Sequence, residues 1–294
     1  MADSADALAN AQPAPIALIT GASSGLGAAL AAEYARRGWR LVLVARRADA
    51  LEQTARDCGV SGDAQRLRLL VCDVRDIDRF RQEADRLLQD WGCPQVVIAN
   101  AGISHGVDLS HPGDLDMAID IMDINWGAAL GTLAPFIAPM RSRGSGALVG
   151  IASVAGLRGL PCHAAYCASK AALIRSLESL RVELRAHGVK VVTISPGYVE
   201  TAMTAGNRFA MPFLLSPRQF TVRAVRAIDA GRAYATIPWQ MAVLSQLLRV
   251  VPRALYDRAV NFYGRKPRKP DCEPCRGVSR RNRLLQRRWR GREE

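Results

Sequence analysis

The sequence has no run of 18 apolar residues, only four lysines and only four histidines. The first absence argues against a membrane-spanning helix. The opening residues carry Asp3 and Asp6, no basic residue and no apolar stretch, so no secretory signal is expected. The seven cysteines are an odd number, and without such a signal they read as reduced thiols of a cytoplasmic protein. Cys58, Cys72, Cys93, Cys162 and Cys167 are scattered through the body and read mostly as core filler. Cys272 and Cys275 form one CxxC pair, but zinc needs two more ligands and neither a second pair nor a nearby histidine follows. No metal site is expected.

What is present is ordinary for a globular chain. Of 294 residues, 49% are apolar and 23% charged, which excludes disordered, collagen-like and coiled-coil classes. The net charge of +13 is uneven, because the stretch from Gly264 onward holds 12 basic and 4 acidic residues. The basic balance is therefore mostly a property of a tail and says little about the main domain.

Short apolar runs alternate with helical patterns. Strands are expected at Ile16–Ile19, Leu41–Val44, Leu67–Cys72, Val96–Ala99, Ala147–Ala152 and Val189–Ile194. Between them lie helices at Ala28–Arg37 with Gly38 as cap, Ala48–Asp57, Ile77–Trp91, Leu115–Met140 and His163–His187. Pro135 and Pro139 are expected to mark a frayed end of the fourth helix. Six alternations predict a Rossmann-type, doubly wound parallel sheet in a single α/β domain. Beyond it, Thr201–Leu215 is irregular and apolar. Ser216-Pro217 opens a helix to about Ala230, and Tyr234–Ile237 offers a last strand. Trp239–Tyr263 reads as two short apolar helices broken at Pro252. The expected division is a disordered leader at 1–14, a catalytic domain at 15–238 with a lid at about 201–230, apolar helices at 239–263 and a basic tail at 264–294.

The first loop, Thr20-Gly21-Ala22-Ser23-Ser24-Gly25-Leu26-Gly27, joins a strand to a helix. Glycines allow close backbone approach, and the helix start offers amides to a phosphate. Asp73 ends the third strand, Asn100-Ala101-Gly102 the fourth, and Pro196-Gly197 the sixth, with Thr201 four residues on. Asn125 sits in the long helix, Ser153 follows the fifth strand, and Tyr166 precedes Lys170 by four residues. That spacing puts the phenol and the ammonium on one helix face. A nearby ammonium lowers a phenol pKa from about 10 and lets it exchange protons near neutral pH. Ser153 is placed to hydrogen-bond a substrate oxygen.

Taken together, from 16 to about 200, these motifs resemble the short-chain dehydrogenase/reductase family of the classical kind. The resemblance implies a carbonyl–alcohol oxidoreductase with Asn125, Ser153, Tyr166 and Lys170 as its catalytic set. It implies that Lys170 grips the nicotinamide ribose and that Asn125 holds a proton-relaying water. Cofactor contacts are implied for Thr20, Gly21, Ser23, Ser24, Gly25, Leu26 and Gly27, then for Asp73, Val74, Asn100, Ala101 and Gly102. Further contacts are implied for Tyr166, Lys170, Pro196, Gly197, Val199 and Thr201. A homodimer or homotetramer through long helices, including His163–His187, is also implied.

Cofactor choice turns on Ala45-Arg46-Arg47, where an NAD enzyme would carry an acidic residue. An arginine suits a 2′-phosphate, so NADP(H) is favoured over NAD(H), with Arg46 as main contact and Ser23 as helper. Arg47 also reads as a plain solvated charge. The apolar content of Thr201–Leu215 fits either a lipophilic small-molecule carbonyl or alcohol, or packing of the lid on the body. His105 and His163 receive no role. Leu244, Leu247, Leu248 and Val251 form an apolar stripe for which packing on the body or a subunit interface is favoured over an anionic membrane surface. The Arg-rich stretch Arg280–Arg292 reads as a solvated end, and no nucleic-acid fold accompanies it. The rival functional reading is a non-catalytic NADP-binding scaffold or sensor that uses the tail for a partner.

Overall fold

A computed structural model describes residues 13–205, 207 and 210–261. Most of the expected leader, Phe209 in the expected lid, and the basic tail with Cys272 and Cys275 lie outside the described residues.

Seven strands form one parallel sheet: β1 (Ile16–Thr20), β2 (Arg40–Ala45), β3 (Leu67–Val71), β4 (Val96–Ala99), β5 (Gly146–Ile151), β6 (Val189–Pro196) and β7 (Tyr234–Ile237). Their order is β3-β2-β1-β4-β5-β6-β7. The strand order reverses beside β1, which pairs with β2 through Ile16–Arg40 and with β4 through Ala17–Val96. In such sheets a crevice opens at the carboxyl ends of the strands where the order reverses. β1 and β4 are buried along their whole length, the pattern of strands covered on both faces.

Helices cover the two faces: α1 (Gly25–Arg36), α2 (Ala48–Asp57), α3 (Ile77–Asp90), α4 (Asp114–Met122), α5 (Ala128–Arg143) and α6 (Ala164–Leu184). Then follow the one-turn α7 (Ala202–Ala205), α8 (Pro217–Asp229), α9 (Trp239–Val250) and α10 (Arg253–Asn261). One core packs Leu30, Tyr34 and Phe220 on β1 and β2, while the other packs Phe80, Leu133 and Phe136 on the opposite face. Each of these large side chains is fully buried, and transfer from water stabilises the fold by about 2–3 kcal/mol per side chain. The predicted start of α8 is seen as a reciprocal cap: the Ser216 hydroxyl accepts from the Gln219 amide, and the Gln219 side chain accepts from the Ser216 amide.

Two expectations need correction. The helix predicted at Leu115–Met140 is interrupted by a π turn over Asp123–Gly127. Pro135 and Pro139 do not fray its end. Both lie inside α5, which ends only at Gly144 in left-handed conformation. Burial of Leu133, Phe136 and Met140 holds this helix across the lost backbone bonds. The combined run Asp114–Arg143 is long and apolar enough, by length and composition, to cross a membrane. Its second half packs on β4 and β5 and builds the core.

Candidate active site

A cavity of about 350 Å³ opens at the carboxyl ends of the strands. It runs between the β1–α1 turn, the ends of β2 and β3, and the loops after β4, β5 and β6. At one end stand Arg46, Arg47 and Asp73, and at the other Ser153, Tyr166 and Lys170.

The β1–α1 turn is compact because two positions lack a Cβ. Gly21 has φ +67°, and a Cβ there would lie 2.9 Å from the Ala101 Cα. A Cβ on Gly27 would lie 2.2 Å from the Gly21 carbonyl oxygen. Ser23, Ser24, Gly25 and Leu26 line the cavity, and the first amides of α1 have no partner within the helix. Thr20 stands behind the wall. Its hydroxyl accepts from the Asn100 and Ala101 amides, each at 3.1 Å, and ties the turn to the end of β4. The Asn100 side chain donates to the Thr20 carbonyl at 2.9 Å. Thr20 and Gly27 thus shape the cavity without lining it.

Asp73 is held by Arg75, whose Nη2 donates at 2.7 Å while its Nε meets both carboxylate oxygens at 3.2 Å. Burial pushes the Asp73 carboxyl up, but the hydrogen bonds and charge of Arg75, with Arg46 behind, outweigh it and lower the pKa. Arg75 also reaches Asp120 on α4 at 3.4 Å. Arg46 is more than half exposed and lies only 4.0 Å from Asp73. Its fork is thus open to a further anion.

At the far end, the Lys170 ammonium donates to the Ile151 carbonyl at 2.8 Å and lies 5.9 Å from the centre of the Tyr166 ring. Burial alone pulls Lys170 down to about 8. Burial also raises the Tyr166 phenol above its usual range, while a hydrogen bond with Ser153 works in the opposite sense and does not offset it. The expected lowering of Tyr166 by its cationic neighbour is therefore corrected: sequence spacing supplies the proximity, but desolvation sets the sign. The Ser153 hydroxyl also accepts from the Ala155 amide at 3.2 Å, which fixes it at the turn after β5.

Asn125 lies in the π turn and is fully buried. Its side-chain amide donates to the Ile103 carbonyl and to the Ser169 hydroxyl, each at 3.0 Å. Its side-chain oxygen accepts from the Ile103 amide at 2.8 Å. Both amide hydrogens are engaged by protein, so the side chain braces the loop after β4. Ser169 in turn donates to the Tyr166 carbonyl at 2.8 Å. Ser169 has no motif to mark it, and neither does Arg75. His163 is another residue to which the sequence assigned no role, yet its ring meets Tyr166 edge-on at 6.3 Å.

Val74, Asn100, Ala101, Gly102, Pro196, Gly197, Val199 and Thr201 all line the cavity as expected. Met203 lines it too; Leu215 packs the segment into the core, while Phe213 and Leu214 are about half exposed. Among the described residues no cluster of three or more metal-ligating side chains occurs. A cleft with a glycine turn in its wall and an exposed arginine at one end fits a dinucleotide.

The sequence model of the short chain dehydrogenases matches residues 15–211. An uncharacterized oxidoreductase of Myxococcus xanthus is 40% identical over 83% of this chain and 95% of its own. An 11-beta-hydroxysteroid dehydrogenase-like protein of Arabidopsis thaliana is 35% identical over 84% of this chain and 80% of its own. Among solved structures, a short chain dehydrogenase from Burkholderia cenocepacia in complex with NADP superimposes with a TM-score of 0.71 at 25% identity, over 83% of this chain and 97% of that one. The chain belongs to the short-chain dehydrogenase/reductase family of oxidoreductases, enzymes that act on CH–OH or C=O groups.

Proposed function

We propose that this protein is an NADP-dependent oxidoreductase that interconverts a lipophilic carbonyl and its alcohol. The observation that carries the reading is the convergence of Ser153, Tyr166 and Lys170 on one end of a cleft whose other end presents Arg46. When bound, a nicotinamide dinucleotide supplies or accepts the hydride.

The chain's own residues do the rest. The backbone of Gly21–Gly27 and the start of α1 bind phosphate. Arg46 offers its forked donors to a 2′-phosphate, with Ser23 beside it and Arg47 as a neighbouring positive charge. Asp73, held by Arg75, presents a fixed acceptor, and Val74, Asn100, Ala101 and Gly102 wall the same side. Pro196, Gly197, Val199 and Thr201 close the opposite side. Lys170 contributes a buried cation at the reacting end. The Ser153 hydroxyl orients the substrate oxygen. The Tyr166 phenol, protonated at neutral pH as a phenol ordinarily is and held more firmly so by burial, donates its proton to the carbonyl oxygen as the alcohol forms. Asn125 positions this machinery through Ser169 and Ile103.

The lipophilic preference is supported by Met203 in the cavity wall and by the exposed Phe213 and Leu214 of the same segment. The proposal keeps 15–238 as the catalytic unit, with 201–230 as its lid, and places it in a reducing, cytoplasmic setting in keeping with the free thiols of the described cysteines. It includes a homodimer or homotetramer through the long helices, supported by the exposed Leu115 and Val182 on α4 and α6.

The test is a panel of ketones, aldehydes and secondary alcohols of graded chain length, followed by NADPH absorbance. Turnover that improves with substrate lipophilicity is expected. No turnover on any member, with NADPH binding intact, would favour the scaffold reading.

A further inference from the structure

α9 has two unlike sides. On one, Met241 packs over Gly197 at the cavity wall and Ser245 is buried. On the other, Trp239, Val243, Leu247 and Val250 are 68%, 51%, 58% and 77% exposed. Their spacing puts all four on one narrow stripe of the helix. A solvated helix face would be polar there. Leu255 of α10 is a further exposed aliphatic side chain.

This surface is held firmly to the body. Arg158, from the loop after Ser153, donates to the Leu248 carbonyl and, at 2.8 Å, to the Val251 carbonyl. Its guanidinium lies 3.8 Å from the centre of the Tyr256 ring. The Tyr256 hydroxyl donates to the Gly159 carbonyl. The apolar stripe is therefore presented outward from a braced helix pair.

The charges beside it select the partner. Arg249, Arg253 and Arg258 are all exposed, against the single acidic residue Asp257. The sequence from Gly264 onward adds 12 basic and 4 acidic residues. We propose that the outer face of α9, with α10, docks on an anionic lipid surface. Trp239 and the aliphatic side chains enter the headgroup boundary while the arginines meet lipid phosphates. A second copy of the chain fits less well, because a two-fold contact would bring the same arginines toward one another.

The test floats the purified full-length protein with vesicles of equal parts phosphatidylcholine and phosphatidylglycerol, and with pure phosphatidylcholine vesicles. Flotation with the mixed vesicles and much less with the pure ones is expected. The double variant Trp239→Glu/Leu247→Glu lowers partitioning by about tenfold or more. The milder pair Val243→Gln/Val250→Gln lowers it in the same direction, and unchanged melting curves show that both variants fold. No flotation of the wild type overturns the proposal. So does equal flotation of wild type and variants, which would assign binding to the tail. Equal binding to pure phosphatidylcholine removes the case for an anionic surface. Conversion of a wild-type oligomer to a monomer by the variants, without vesicle binding, shows a subunit interface instead. Catalytic turnover is not a readout here, so failure of this proposal leaves the enzymatic reading untouched.

Discussion

Lys170 holds its ammonium nitrogen 5.9 Å from the centre of the Tyr166 ring and donates to the Ile151 carbonyl oxygen 2.8 Å away. Lys170 is buried and Tyr166 partly so, and desolvation acts on them in opposite senses: it raises the phenol and pulls the ammonium down to about 8. Each neutral form is favoured. At neutral pH the phenol is therefore a proton donor, which suits carbonyl reduction, while the ammonium is close to its own titration.

A pH profile follows with a definite sign. For carbonyl reduction, kcat/KM is level at neutral pH and falls as Lys170 loses its proton near 8. A second fall comes at higher pH, where Tyr166 ionises. Alcohol oxidation runs the other way across the tyrosine step, because the ionised phenol is then the proton acceptor. Lys170→Met removes the first step of the reduction profile and leaves the second. Rates measured in overlapping buffers check this, and a reduction rate that climbs through alkaline pH would contradict it.

Arg46 governs the choice of dinucleotide. Arg46→Ala lowers kcat/KM with NADPH by about tenfold to a hundredfold, the worth of one charge-assisted contact. The value with NADH changes little. Steady-state kinetics with both cofactors decide it, and an equal loss with both would assign Arg46 a structural role. Asp73, 4.0 Å from Arg46, is the carboxylate that rivals a phosphate for this arginine.

Gly27→Ala places a methyl where only 2.2 Å separates it from the Gly21 carbonyl oxygen. The turn must shift, at a cost of about 1–3 kcal/mol in stability. Thermal melting and NADPH fluorescence titration follow the two effects. A lowered Tm and a Kd raised about tenfold are expected, whereas an unchanged Kd would show that the turn does not hold the cofactor.

Much of the fold was legible because parallel strands buried on both faces appear as short apolar runs. Ile16–Ile19 and Val96–Ala99 are clear cases. The catalytic pair was legible because four residues on a helix is one turn, as the shared face of Tyr166 and Lys170 illustrates. The π turn at Asp123–Gly127 was not, since its backbone pairing has no residue marker. Pro135 and Pro139 were misplaced because local propensity favours a break there, while burial of Phe136 and Met140 overrides it. The Arg75 clamp on Asp73 and the Ser169 bridge from Asn125 depend on side-chain directions that periodicity does not carry. The upward shift of Tyr166 was invisible for a related reason: spacing fixes distance along a helix, whereas burial belongs to the assembled fold.

The most direct measurement is turnover by Tyr166→Phe beside its affinity for NADPH. Loss of the phenolic proton lowers kcat for carbonyl reduction by about 100-fold to 10,000-fold, while the Kd for NADPH stays within about threefold of wild type. A variant that reduces the same substrate at close to the wild-type rate would contradict the assignment of Tyr166 as the proton donor.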